Sequence, residues 1–221
     1  MTTILLARHG ESDWNVELRW QGHADRPLTA RGRIQAEALA ERLADIELDA
    51  IYSSDLRRAR ETAEAVAATR GLDVHADPGL REVDVGSWSG LTRLEAKERF
   101  PDEYATWLNG GPGWRDGETY VEMTERVLAA VRRIVERHLD GTVLVVAHGG
   151  PIRAIHASAL GMDVHAYRRM RPVEPNARLS AVCAENGLLT RVCHGVEIEE
   201  LIAAEEERRA ADAAKPPSPA G

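Results

Sequence analysis

Thr142-Val143-Leu144-Val145-Val146-Ala147-His148-Gly149-Gly150-Pro151 sets a short apolar run against an abrupt polar and glycine-rich stop. A run this short, with no helical period, reads as a strand buried in a parallel sheet. A matching junction, Ile4-Leu5-Leu6-Ala7-Arg8-His9-Gly10-Glu11, lies near the start of the chain, and 50–53 reads as a third strand. Between them, 29–44 brings Ala36, Leu39, Ala40 and Leu43 to one helical face, and 55–68 does the same for Leu56, Ala59, Ala63 and Val66. Thr119 with Glu122 has the form of a capping box ahead of Val127, Leu128, Val131, Ile134 and Val135. Short apolar runs alternating with helical stretches predict an α/β three-layer sandwich, a mostly parallel central sheet flanked by helices. Asn186-Gly187, between 179–184 and 188–193, predicts a terminal hairpin. No repeat or second composition block appears. The reading is one domain over 1–202, then an Ala/Glu/Pro-rich C-terminal tail, 203–221, helix-prone at first and expected to be disordered.

The chain has 221 residues, 43% hydrophobic and 29% charged, within the range of ordinary folded proteins. Its net charge of −8 is opposite in sign to the basic footprint of nucleic-acid binders, so nucleic acid is not expected as a partner. Cys183 and Cys193 lie in no zinc or disulfide-scaffold spacing, which fits a reducing cytosol. The apolar run at 4–7 is too short for a signal-peptide core or a membrane span, so a cytoplasmic location without membrane contact is expected.

Polar residues directly after buried parallel strands lie at the carboxyl edge of the sheet, where open α/β folds bind ligands. His9 and His148 both occupy that position. Around them stand Arg8-His9-Gly10-Glu11 with Ser12, Trp14 and Asn15; Gln21-Gly22; Pro27-Leu28-Thr29; Gly32 with Gln35-Ala36; Ser54-Asp55-Leu56-Arg57-Arg58-Ala59 with Thr62; Leu80-Arg81-Glu82 with Gly86 and Trp88; and Ala147-His148-Gly149-Gly150. In this order, the motifs resemble the histidine phosphatase superfamily, whose fold is phosphoglycerate mutase-like.

The resemblance implies that His9 attacks phosphorus to form a phosphohistidine, with no metal and no cofactor. A neutral imidazole suits that task, and a phosphoryl transition state needs fixed positive groups around its equatorial oxygens. Arg8, Arg58 and His148 are the implied cage. Arg57 competes with Arg58, and the register Arg58-Ala59 with Thr62-Ala63 favours the latter. Glu82 is the implied general acid and then base, with Asp84 the competing carboxylate. Asn15, Gln21, Gly22 and Gly149 are the implied neutral donors to the substrate. His23, His75, His138, His156, His165 and His194 show no metal-ligand spacing and read as surface or structural.

Trp14 and Trp88 are expected beneath the site, with Trp107 and Trp114 over it. The glycine-rich stretch 108–119 resembles the family's substrate-covering insertion. Arg93, Lys97, Arg115, Arg168, Arg169 and Arg171 are candidates to meet a second anionic group. The short run between Glu82 and His148, and Val83-Asp84-Val85-Gly86 after the acid, point to a phosphatase acting on a small phosphate ester. The alternative is a cofactor-dependent phosphoglycerate mutase, and a catalytically silent phosphate-ligand-binding protein ranks last. A homodimer is left open.

Overall fold

The computed structural model describes residues 1–111 and 113–213. Its strands are β1 (Thr2–Arg8), β2 (Ala50–Ser53), β3 (Val74–Ala76), β4 (Thr142–Ala147), β5 (Leu179–Glu185) and β6 (Leu188–His194). Its helices are α1 (Asp13–Val16), α2 (Ala30–Arg42), α3 (Arg57–Ala68), α4 (Arg93–Arg99), α5 (Pro101–Leu108), α6 (Tyr120–Arg137), α7 (Gly149–Ala159), α8 (Val164–Met170) and α9 (Val196–Ala213). The six strands form one sheet in the order β3-β2-β4-β1-β5-β6. Strands β3, β2, β4 and β1 run parallel to one another, β5 pairs antiparallel with β1, and β6 pairs antiparallel with β5.

The short apolar runs are strands because both faces of the sheet are covered. Along β1, Ile4 and Leu6 enter the core beneath α6 and α7, with Met123, Val127, Ile134, Ile152 and Ile155. Leu5 and Ala7 enter the opposite core with Leu39 and Leu43, Ala63 and Val66 of α3, and Ile198 and Leu201 of α9. All four β1 side chains are fully buried. The expected three-layer sandwich is the observed fold.

Local signals act as the sequence suggests. Thr119 accepts from the Glu122 amide at 3.1 Å, and Glu122 accepts in return from the Thr119 amide at 2.8 Å, starting α6. Asn186 and Gly187 adopt φ of 50° and 79° between β5 and β6. Helix α9 runs across the boundary expected after residue 202 and reaches Ala213, so the tail begins as helix rather than as disordered chain. Its Ala- and Glu-rich composition supplies the propensity, and Ile198, Leu201 and Ile202 anchor its first turns on the sheet. Residues 214–221 of that tail lie outside the described residues.

Because β1, β2 and β4 are parallel, their carboxyl ends bring His9, Ser54 and His148 to one edge. The loop after β1 is fixed there by a backbone crossing. A Cβ on Gly32 would lie 2.0 Å from the Glu11 carbonyl oxygen, and one on Gly10 would lie 2.4 Å from the Gly32 carbonyl oxygen. Both obstacles are main chain and cannot swing aside. Gly32→Ala is therefore expected to cost about 1–3 kcal/mol or more, read as a lower midpoint in urea unfolding. An unchanged midpoint would show that α2 can move away from the loop.

Candidate active site

Arg8 ends β1, and His9 follows it with a backbone N–H that donates to Ala147 at 3.0 Å, locking the loop to β4. The His9 Nδ1–H donates to the Gly10 carbonyl at 2.7 Å, because a carbonyl can only accept. The ring's proton is thereby placed on Nδ1, and Nε2 carries the lone pair. Gly10 in turn donates its N–H to Thr62 Oγ1 at 3.0 Å, and that hydroxyl donates to the Arg58 carbonyl at 2.7 Å. Helix α3 thus positions the histidine loop through Thr62.

Burial holds the His9 imidazole well below the ordinary histidine range, and the charges of Arg58 and Arg8 push the same way. His148, the residue preceding α7, is fully buried, with its ring centroid 5.1 Å from that of His9. Both of its ring nitrogens lack a hydrogen-bond partner among the described residues. Burial, followed by the charges of Arg58, His9 and Arg8, keeps it neutral too. Burial lowers the Arg8 guanidinium and brings Arg58 down to about 10, which still leaves both charged at neutral pH.

Arg58 is 1% exposed and donates to the carbonyls of Ala24 at 2.7 Å and Gly22 at 2.9 Å. Arg57 points outward and pairs with Glu61 one turn along α3. The helix turns only one of the two arginines inward, and it is Arg58. Arg8 Nη1 donates to the Glu174 carbonyl at 2.7 Å. Glu82 Oε1 accepts from the amides of Val83 at 2.9 Å and Gly150 at 3.1 Å. A Cβ on Gly150 would lie 2.3 Å from that oxygen, so glycine is what lets the start of α7 approach the carboxylate. Asp84 instead accepts from the Gly86 amide at 3.0 Å, faces His23 at 3.9 Å, and does not line the cavity.

A cavity of about 160 Å³ collects these groups: Arg8, His9, Asn15, Gln21, Gly22, Arg58, Glu82 and Gly149 all line it. His148 packs against the His9 ring but does not itself line the cavity. The Asn15 amide oxygen accepts from the Ser12 amide at 3.0 Å and from Asn176 Nδ2 at 3.2 Å, and the Gln21 amide oxygen accepts from the Ser12 hydroxyl at 2.9 Å. With the oxygens engaged, each side-chain NH₂ is left to donate. The N-terminus of α7 adds the Gly149 and Gly150 backbone, so the cavity is lined by cations, amides and a helix N-terminus, a setting for an oxyanion.

Gly150, quoted within the His148 motif, also lines this cavity, as do Arg19, Trp20, Tyr120, Arg153 and Val173, which were not proposed as site residues from sequence. Helical spacing could have found Arg153, one turn beyond Gly149 in α7. Arg19 and Val173 come from irregular segments whose approach depends on the whole fold. None of Arg93, Lys97, Arg115, Arg168, Arg169 and Arg171 lines the cavity. Arg93 lies over Trp107, Arg115 pairs with Glu103, and Arg168 lies 3.7 Å over the Tyr120 ring.

The tryptophans also differ from expectation. Trp20 reaches the cavity, and Trp88, Trp107 and Trp114 pack behind it with centroids 5.6, 5.2 and 6.0 Å away. Trp14 packs with Arg26 and against Gly90 instead. Burying Trp114 draws 113–118 down onto the acid loop: its indole N–H donates to the Glu118 carbonyl at 2.8 Å, and the Glu118 amide donates to the Asp84 carbonyl at 2.9 Å. The glycine-rich stretch therefore buttresses Glu82, and none of its described residues lines the cavity. Pro112, within it, lies outside the described residues.

The buried neutral histidines carry a stability consequence. His9, His148 and His156, the last brought down to about 4 by burial, all resist protonation in the fold. In the unfolded chain they take up protons near pH 6.5, so acid favours unfolding. Their contribution is complete above about pH 6.5 and is lost below it by up to about 1.4 kcal/mol per pH unit per histidine. Urea midpoints should fall from pH 7 to pH 5; a flat profile would mean that these rings are hydrated in the fold.

The histidine phosphatase superfamily (branch 1) model matches residues 4–196. Phosphoserine phosphatase 1 of Hydrogenobacter thermophilus is 36% identical over 166 residues, 74% of this chain and 79% of that protein. The Bacillus stearothermophilus YhfR structure superposes with a TM-score of 0.80 at 35% identity, covering 86% of this chain and 94% of the other. A mycobacterial glucosyl-3-phosphoglycerate phosphatase, solved with VO3, gives a TM-score of 0.78 at 32% identity, covering 86% and 96%. Among the described residues no helix is long and apolar enough to cross a membrane.

Proposed function

The chain belongs to the histidine phosphatase superfamily and is a phosphatase, and from that premise we propose that it hydrolyses a small phosphate monoester through a phosphohistidine on His9, without a metal in the reaction. The observation that carries this reading is the His9 tautomer. With Nδ1–H held by the Gly10 carbonyl, Nε2 is the nucleophile, and burial keeps it unprotonated. Nε2 attacks phosphorus, the P–O bond to the alcohol breaks, and the Glu82 carboxyl gives its proton to the departing oxygen. The Glu82 carboxylate then takes a proton from water, the oxygen attacks phosphorus, and the P–N bond breaks to release inorganic phosphate and free His9.

Arg8 and Arg58 supply fixed positive charge for the equatorial oxygens, and Asn15, Gln21, Gly22 and Gly149 neutral donors or close backbone approach. His148 has two unpaired ring nitrogens; a phosphate oxygen gives one of them a partner, and the dianion favours its protonated form. Arg153 extends the cationic lining beyond the reacting centre and suits a substrate with a second anionic group, such as a carboxylate, whereas Arg19 on the same wall is paired with Glu17 and Glu95. Phosphoserine phosphatase 1 of Hydrogenobacter thermophilus, to which the chain is similar, is named for a substrate of that character. A cytoplasmic site for the reaction fits Cys183 and Cys193, which lie in no disulfide-scaffold spacing.

Hydrolysis is favoured over phosphoryl relocation because residues 113–118 lie on the acid loop rather than over the cavity, leaving water a route to the phosphohistidine. The test supplies 3-phosphoglycerate with a trace of 2,3-bisphosphoglycerate, and a panel of carboxylated phosphate esters, in the presence of chelator. Inorganic phosphate should be the main product. Formation of 2-phosphoglycerate well ahead of phosphate release from any ester would assign the mutase reaction instead.

A further inference from the structure

We infer that His156, Glu174 and His194 form a binding site for a borderline first-row divalent cation of the Zn²⁺ type, outside the phosphate cavity. One ligand atom from each of the three lies within 4.8 Å of the others. The two imidazole centroids are 5.6 Å apart at an interplanar angle of 85°, and His194 Nδ1 lies 3.9 Å from Glu174 Oε1. Zinc sits about 2.0–2.2 Å from nitrogen and carboxylate ligands, so small side-chain rotations close the triangle. His194 and Glu174 have room for them, with side chains 41% and 22% exposed.

The fold assembles what sequence spacing does not. His156 comes from α7, Glu174 from the segment after α8, and His194 from the end of β6. Ser180 of β5 and His194 are cross-strand partners, so their side chains share one face of the sheet. His156, 1% exposed, reaches down to that pair: its Nε2 is 2.9 Å from Ser180 Oγ and its Nδ1 is 3.1 Å from Tyr167 Oη. Whichever ring nitrogen takes the metal, the other keeps a hydroxyl to which its N–H donates, the usual support of a metal-bound histidine.

Two imidazoles and one carboxylate suit Zn²⁺, Co²⁺ or Ni²⁺, whereas Mg²⁺ and Ca²⁺ prefer all-oxygen sets. A cavity of about 260 Å³, lined by Glu174, His194 and Tyr167, gives an ion access and leaves space for water as a fourth ligand. Arg171 also lines it, and its charge opposes the cation. None of the three ligands lines the His9 cavity, although the Glu174 carbonyl holds Arg8. The inference is independent of the reaction proposed above.

The experiment uses the full chain, stripped with chelator and dialysed, and titrates Zn²⁺ by calorimetry and Co²⁺ by its visible absorption. One equivalent of each should bind, with Co²⁺ giving the intense bands of a four-coordinate site. His194→Ala and Glu174→Gln, both at partly exposed positions, should each weaken Zn²⁺ binding by at least about tenfold, with circular dichroism unchanged. His9→Ala should leave the affinity unchanged, since His9 and His148 are the competing histidine pair. Absence of binding by the wild-type chain overturns the site. So does wild-type affinity in the two ligand variants, or loss in His9→Ala alone, which would place the ion in the phosphate cavity.

Discussion

Replacing His9 with Ala is expected to lower kcat/KM for phosphate esters by about 10⁴-fold or more, equivalent to about 5 kcal/mol of transition-state stabilisation. The size follows from losing the covalent route. Without Nε2, water must attack the ester directly, and only the cationic lining and bound geometry remain to help. The fold should survive, because the ring is buried as a neutral group and, among the described residues, its hydrogen bond is to the adjacent Gly10 carbonyl. Thermal unfolding of the variant checks that. The companion measurement is rapid-quench labelling with a ³²P-labelled ester, in which wild-type protein should carry acid-labile, base-stable phosphate on His9. Label on a hydroxyl residue, or a His9→Ala protein with most of its activity, would remove His9 from the nucleophile's role.

Much of this was legible in the sequence because strand-then-histidine junctions are local. Ile4–Ala7 and Thr142–Ala147 are short apolar runs that only a doubly covered sheet can bury, and parallel pairing then forces His9 and His148 to the same edge. The choice of Arg58 over Arg57 was legible from register, and burial gives its physical reason: adjacent helical residues point about 100° apart, so one faces the cavity and the other solvent. What was not legible is where irregular segments settle. The glycine-rich stretch 108–119 resembles a substrate-covering insertion, yet Trp114 buries itself against Trp20 and Trp88 and carries its neighbours down with it. A single sequence does not reveal that preference, since it depends on an aromatic cavity assembled from four separate segments. Arg19, Asn176 and the His156–Glu174–His194 cluster were hidden for the same reason, because each meets its partners across long sequence separations.

Glu82→Gln is expected to slow esters of alkyl alcohols by about 10²–10⁴-fold while affecting activated aryl phosphates much less. An alkoxide must be protonated as it leaves, whereas an aryl oxide departs with little help. The variant keeps the carbonyl oxygen that the Gly150 and Val83 amides grip, so the loop should hold its place and the loss should report proton transfer. The loop is further secured from behind. Arg126 bonds Glu118 and reaches the carbonyls of Arg81 and Glu82, and His23 Nε2–H donates to the Glu82 carbonyl at 2.8 Å. Asp84→Asn is the matched control: its carboxylate caps the Gly86 amide outside the cavity, so turnover of both ester classes should stay within a few-fold of wild type. Equal losses on alkyl and aryl esters in Glu82→Gln would make Glu82 a positioning group for the start of α7. A leaving-group dependence that appears in Asp84→Asn instead would move the acid two residues along the chain, and would require the loop to swing Asp84 inward when substrate binds.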